Sequence, residues 1–428
     1  MGYVNKKLNV IGVVNFDDKN RKKRKYFHLK KIRNFSTFTP RFKMLINPID
    51  EKGTWHFLVK KNLNPVFNHL GSIKLGDNVL PLSIYRKIFN LYDSILDARK
   101  VMLRYRSDLS TVVDLETNCI TPLVASNKLP MVFYKREDTT SIKAYKIRGA
   151  IYQMSKIIEQ NHSKNLRFVA ASTGNHALGV LKSAEILKVP RVTICISSVV
   201  TPFKQKKLQK RVDDLVAQGI KAELVVEGDT FDKTNTFAKN LVETNPDTYY
   251  IDPYDTHNAV GGQGTIGLEL IHQLENQFFD YEKLDYDMTK IKALKKLTII
   301  IPIGGGGLIS GISTAVKMAI RNSKLKHVSV NIIGVRLKDL NSRHGDAIKV
   351  KVLGEHNQDL IKNIVDKIVT ITDMDMQRGI NFVLDDMKAR IEGASAATLK
   401  PIFDNIVIPS EEHAIVCLIS GGNATLHS

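Results

Sequence analysis

The chain has 428 residues, 43% of them hydrophobic, enough for two or three domains of ordinary size, each with its own core. No apolar run reaches the roughly 18 residues that a membrane-spanning helix needs. Three scattered cysteines (Cys119, Cys195, Cys417) offer neither a disulfide framework nor a zinc-ligand spacing, which points to a reducing compartment. A formal charge of +20 raises nucleic acid as a partner, but roughly two thirds of the excess lies in the first hundred residues and the rest of the chain is only mildly basic.

Residues 1–80 read as a basic N-terminal extension. Arg21-Lys22-Lys23-Arg24-Lys25, then Lys30, Lys31 and Arg33, lead into Ser36-Thr37-Phe38-Thr39, a composition similar to an organelle-targeting peptide or to a solvated, disordered arm. The expected compartment is therefore cytoplasm or mitochondrion. A basic run without interleaved stacking groups gives attraction without readout, so nucleic acid is not the expected partner. Asn9–Val14 has the makings of a short strand, and Met44 leaves room for a shorter translated form. From Ile84 to Tyr105, Ile88, Leu91, Ile95, Val101 and Leu103 recur at helical spacing and predict an amphipathic helix leading into Thr121-Pro122-Leu123.

Beyond residue 130, β-branched runs alternate with helical stretches: Phe168–Ala171, Val192–Ile196, Ala222–Val226 and Leu297–Ile301. That alternation predicts an α/β fold with open parallel sheets. Two of the runs end in glycine-bearing turns followed by helical sequence, which places those turns at the carboxyl ends of strands, where open α/β sheets bind ligands. One is Ser172-Thr173-Gly174-Asn175-His176, whose N–H groups and serine hydroxyl suit a carboxylate at a helix N-terminus. The other is Gly304-Gly305-Gly306-Gly307, where successive backbone N–H groups can approach a phosphate without side-chain obstruction. Lys146, in Ala144-Tyr145-Lys146-Ile147-Arg148-Gly149-Ala150, supplies an amine for carbonyl chemistry, with Lys143 as an alternative.

Lys135-Arg136-Glu137-Asp138, Lys146 with Ile147-Arg148-Gly149-Ala150, Ala171–Ala177, Gly262-Gln263-Gly264-Thr265, Pro302–Leu308 and Ser420-Gly421-Gly422-Asn423 occur in one order. Over residues 117–423 that ordered set resembles the threonine/serine dehydratase family, within the tryptophan-synthase-like, fold type II, pyridoxal 5′-phosphate enzymes. The resemblance implies two α/β domains with the cofactor in the cleft between them: residues 81–165 and 256–428 as the large domain, 166–255 as a small mobile one. It implies that Lys146 holds the cofactor, that Gly304, Gly305, Gly306 and Gly307 take its phosphate, and that Asn175 and Ser420 meet the ring hydroxyl and the ring nitrogen. Ser172, Gly174, Asn175 and His176 would bind the substrate carboxylate, with His176 itself structural, and Glu392 would lie near the ring. A hydroxyl rather than a carboxylate at the ring nitrogen favours β-elimination over transamination.

Departures from the family pattern carry expectations of their own. Thr173 stands where serine racemases place a hydroxyl that works on the opposite face of the substrate, which makes it a candidate catalytic residue. Leu178 replaces a common glutamine and removes a polar contact near the substrate. Arg336 stands where a cation-binding glutamate is frequent, so no metal is expected. The short stretch after Asn423 leaves no room for a C-terminal regulatory domain. The implied activity is β-elimination of L-threonine, and of L-serine, to 2-oxobutanoate or pyruvate and ammonia, with Lys146 as general base on a small amino-acid substrate. Serine racemase, 3-hydroxyaspartate dehydratase and a catalytically silent binding protein are the alternatives, and a homodimer or homotetramer is the implied assembly.

Overall fold

The first long helix of the computed structural model, α1 (Leu82–Arg104), buries Ile84, Ile88, Leu91, Ile95, Ala98 and Met102, a stripe stepping by three and four residues. Leu103, expected in that stripe, is 38% exposed, because Met102 is the residue seven on from Ile95 and takes the inward position. The structure describes residues 72–75, 78–112, 117, 119–280 and 285–424, and those from Lys74 onward belong to one compact unit. The basic run, the Asn9–Val14 strand and Met44 lie outside the described residues.

Two sheets organise the remainder. The larger has six strands, β1 (Leu123–Ala125), β2 (Val132–Arg136), β7 (Lys296–Pro302), β8 (Ser329–Leu337), β9 (Lys367–Ile371) and β10 (His413–Ile419), in the order β9-β8-β7-β10-β2-β1. The smaller has four, β3 (Arg167–Ala171), β4 (Arg191–Ile196), β5 (Lys221–Val226) and β6 (Thr248–Tyr250), in the order β5-β4-β3-β6, all parallel. The expected parallel α/β architecture is present with one difference: β1 pairs antiparallel with β2, Val124 opposite Tyr134. The middle of the central strand β7 is a continuous apolar run; Ile299, Ile300 and Ile301 are all fully buried, as a strand covered on both faces requires.

The helices that matter for the site begin where strands or their loops end. They are α2 (Lys146–Gln160), α3 (Asn175–Leu187) after β3, α4 (Pro202–Ala217) after β4, and α7 (Gly307–Ala319) after β7. Helix α5 (Phe231–Thr244) covers the small sheet, while Ile361 of α8 (Glu355–Ile364) and Met376 and Val383 of α9 (Asp373–Met387) join the cores of the large one. Helix α6 (His257–Asn276) packs against both α2 and α7. A Cβ on Gly262 would lie 2.5 Å from the Arg148 carbonyl oxygen, and one on Gly311 would lie 2.5 Å from that of Val260. The Gly-Gln-Gly-Thr landmark is therefore where α6 crosses closely over the first turn of α2, through Gly262, and over α7, through Gly264 against Gly311.

Candidate functional site

Lys146 is the first residue of α2, and the turn before it is stitched to the loop after β10. Tyr145 N–H donates to the Ser420 carbonyl (3.1 Å) and Gly422 N–H to the Lys143 carbonyl (2.9 Å). The Thr140 hydroxyl closes the turn on both backbone groups of Ala144. Lys146 Nζ donates to the Pro253 carbonyl at 2.6 Å and lies 5.1 and 5.7 Å from the ring centres of Tyr145 and Tyr254. Burial pushes its ammonium down from 10.5 to about 8, with Asp252 opposing. The alternative amine, Lys143, is exposed, at a φ of 56°.

The four glycines follow β7 after Ile303, and α7 begins at Gly307, so the first N–H groups of this helix have no intrahelical acceptor. Gly306 has φ 97°, a conformation that disfavours any side chain. Side-chain space here is already filled from behind: a Cβ on Gly305 would meet the Tyr254 ring at 2.3 Å, and one on Gly306 would meet Ile361 at 2.7 Å. Glycine is thus demanded by packing as well as by access to the backbone.

The turn after β3 carries Ser172, Thr173 and Gly174, with Gly174 capping α3; Gly174 N–H donates to Ser172 Oγ at 3.2 Å, and Thr173 is half-buried beside them. Asn175 Nδ2 donates to both carboxylate oxygens of Glu392 (2.8 and 3.1 Å), and its Oδ1 accepts from Asn423 Nδ2 at 2.9 Å. Burial raises the Glu392 carboxyl above its usual range, against the hydrogen bonds from Asn175 and Asn423. Ser420 is buried with its Oγ 3.2 Å from Ser395 Oγ. Ser395 donates to the Gly421 carbonyl and accepts from Gly421 N–H, both at 2.9 Å. His176 is buried, and its Nε2 lies 2.7 Å from the Ile251 carbonyl, which can only accept, so Nε2 carries the hydrogen. Burial, helped by the Lys146 charge, lowers the imidazole to about 4 and keeps it neutral.

The structure therefore brings Lys146, Ser420, Asn175 and Glu392 together through the Ser420–Asn423 loop. Sequence reading missed Asn423 as a side-chain bridge, Ser395 as the partner of Ser420, and the Pro253 carbonyl, which no side-chain signal announces. It also missed what the Lys135–Asp138 and Ile147–Ala150 motifs mainly build. Arg148 and Lys135 are fully buried, and they meet Glu137 and Glu269 at 2.7 to 3.0 Å. Two cations balance two carboxylates in the interior; against the cost of burial, Arg148 and Lys135 hold the Glu269 carboxyl down at about 2. Leu178 belongs to the hydrophobic core, and Arg336 donates to the Lys351 carbonyl at 3.1 Å. A surface hollow of about 270 Å³ containing Arg167, Arg191 and Lys221 lies at the opposite, amino ends of β3, β4 and β5, away from these groups.

A sequence model described as "Pyridoxal-phosphate dependent enzyme" matches residues 116–421. The chain belongs to that family. The chain is 28% identical over 331 residues to a catabolic L-threonine dehydratase of Staphylococcus aureus, covering 72% of this chain and 84% of the relative. It is 29% identical over 309 residues to an L-threonine ammonia-lyase of Thermotoga maritima, covering 68% of this chain and 67% of that one. Among solved structures, the processed form of threonine deaminase isoform 2 from Solanum lycopersicum superposes with a TM-score of 0.60 at 23% identity, over 80% of this chain and 86% of that one, a likeness of fold.

The cofactor is pyridoxal phosphate, and the groups present fit it. An amine with a lowered pKa stands at a helix start, a turn whose Cβ directions are blocked leaves only backbone for a phosphate, and Ser420 offers a buried hydroxyl. Among the described residues no helix is long and apolar enough to cross a membrane, and no group of three or more histidine, cysteine or acidic side chains stands ready for a metal.

Proposed function

We propose that this enzyme eliminates the β-hydroxyl of L-threonine, and of L-serine, releasing 2-oxobutanoate or pyruvate and ammonia. The observation that carries the reading is Lys146: a partly buried amine with a lowered pKa, tied by its backbone neighbour to a serine rather than to an acid. The L-threonine dehydratase and ammonia-lyase names of the two curated relatives support it.

When bound, pyridoxal phosphate supplies a carbonyl that condenses with amines and a sink for the electron pair left at a substrate carbon. Lys146 is the residue that would hold it, the Gly304–Gly307 turn would take the phosphate, and Ser420 would meet the ring nitrogen. Lys146 Nζ is the group that would take the Cα proton, and burial, by holding its pKa near 8, favours the neutral amine that this role needs. Ser172, Gly174 and the start of α3 orient the substrate carboxylate with backbone N–H groups. Asn175, fixed on both sides by Glu392 and Asn423, is the residue that would meet the ring hydroxyl, its amide already oriented by those bonds. His176, neutral and donating to the Ile251 carbonyl, holds the loop in place.

Residues 166–255 are proposed as a small domain that closes on the site, in a homodimer or homotetramer of the cytoplasm or mitochondrion. The test is direct. Full-length protein loaded with pyridoxal phosphate should form 2-oxo acid from L-threonine, and Lys146→Ala should abolish both turnover and the cofactor's visible band while leaving the far-ultraviolet circular dichroism unchanged. Turnover surviving that change would overturn the assignment. Thr173 carries the racemase alternative: D-serine that accumulates from L-serine, and disappears in Thr173→Ala, would favour it.

A further inference from the structure

Asn357, in α8, is fully buried, and three oxygens converge on its amide nitrogen. Nδ2 lies 2.8 Å from the Tyr254 carbonyl, 3.0 Å from Asp255 Oδ1 and 3.2 Å from the Gly305 carbonyl. A flipped amide would set Oδ1 against all three, so the acceptors dictate its orientation. Around this amide two loops are tied into one body. The Asp255 carboxylate accepts from Glu355 N–H (2.9 Å) and His356 N–H (3.1 Å), at the start of α8. Gly354 N–H donates to the Gly305 carbonyl at 2.9 Å. One of these loops includes Pro253, whose carbonyl takes Lys146 Nζ, and the other is the glycine turn.

We propose that Asn357 is a positioning residue that sets the distance between Lys146 and the Gly304–Gly307 turn, so that one rigid cofactor reaches both at once. Pyridoxal phosphate presents its carbonyl and its phosphate at a fixed separation, so two anchors that drift independently cannot both be met without strain. Asn357 is suited to that task because its one NH2 group bonds the backbone of both loops. Its Cβ also presses on the glycine turn, lying 2.9 Å from where a Gly306 Cβ would stand. The inference rests on the family's cofactor and not on the substrate.

The test uses full-length, cofactor-free protein titrated with pyridoxal phosphate alone, comparing wild type with Asn357→Leu, similar in size but without hydrogen bonds. A roughly tenfold or greater rise in the cofactor's Kd is expected, with a shifted phosphorus-31 resonance of the bound phosphate and a lower kcat at saturating cofactor. A Kd within twofold of wild type and an unmoved phosphorus resonance, with only the urea midpoint lowered, would reduce Asn357 to a packing residue and overturn the proposal. Should the leucine variant fail to fold, Asn357→Ser, whose hydroxyl reaches at most one of the three acceptors, is read against the same outcomes. Absence of cofactor binding by the wild type would instead refute the assigned cofactor, so the two failures are distinguishable.

Discussion

Burial governs the protonation of Lys146, and the sign of its effect can be followed in the cofactor-free protein. Its folded pKa is depressed from 10.5 to about 8, so between those values the unfolded chain binds more protons than the folded one. The penalty is complete below about pH 8 and is relieved as pH rises from there toward 10.5. The urea-derived stability of wild type should therefore gain on that of Lys146→Met across this window; parallel profiles would contradict the burial. Since only the neutral amine attacks a carbonyl, the rate of pyridoxal phosphate capture should climb through about pH 8 and then level off. His176 behaves oppositely to an ordinary histidine: with its imidazole lowered to about 4, turnover should show no step near pH 6.5 that His176→Gln removes. Arg148 is held between Glu137 and Glu269 with no exposed surface. Arg148→Met should leave two buried carboxylates short of a partner and cost about 3–5 kcal/mol in chemical denaturation, and a loss under about 1 kcal/mol would refute the network's role. Lys146, Asn175 and Ser420 were singled out in the sequence by the resemblance of their motifs to the family's, and the structure gathers them around the Ser420–Asn423 loop. The Arg148 network was not legible there, since nothing local marks residue 269 as the partner of residues 135 and 148.

Among the elements, helix α6 has the largest influence for the least chemistry. Its glycines let α2 and α7 approach from either side, and both of those helices open at the site. Gly262→Ala would drive a methyl to within 2.5 Å of the Arg148 carbonyl and force α2 to shift. A stability loss of about 1–3 kcal/mol is expected, together with weaker cofactor binding, because Lys146 moves with its helix. Unchanged cofactor affinity in that variant would show that α2 is positioned from elsewhere. The strands expected from β-branched runs are present with ends shifted by a residue, but β1, β2, β6, β8, β9 and β10 escaped notice. Short strands such as β6 carry too few residues for alternation to register, and β10 (His-Ala-Ile-Val-Cys-Leu-Ile) is an apolar run that periodicity alone cannot assign.

For the whole molecule, the small sheet is joined to the rest by an apolar core, in which Ile147 and Ile151 of α2 pack with Val180 of α3 and Phe168 of β3, and by exposed polar ties at its rim. Helix α4, beside the small sheet, places Lys204 Nζ 2.9 Å from Asp346 and Lys207 Nζ 3.1 Å from Asn423 Oδ1. Exposed contacts of this kind are worth about 0–1 kcal/mol each and are screened by salt. The double variant Lys204→Ala/Lys207→Ala should lower kcat/KM by less than about fivefold and flatten its dependence on ionic strength; an unaltered salt profile would show that these lysines take no part in closing the site. The order of motifs and the alternation of strands and helices were determined by the sequence itself, because each depends on neighbours a few residues apart, while the lysine, glycine turn and serine were singled out by the resemblance of those motifs to the family's. Only the tertiary structure decided what those groups touch. The Pro253 carbonyl under Lys146, the Glu392–Asn175–Asn423 bridge, and Asn357 between two loops join residues from about 50 to 250 positions apart. Such contacts arise when parallel strands from distant parts of the chain pair and their carboxyl ends converge, so no local pattern encodes them.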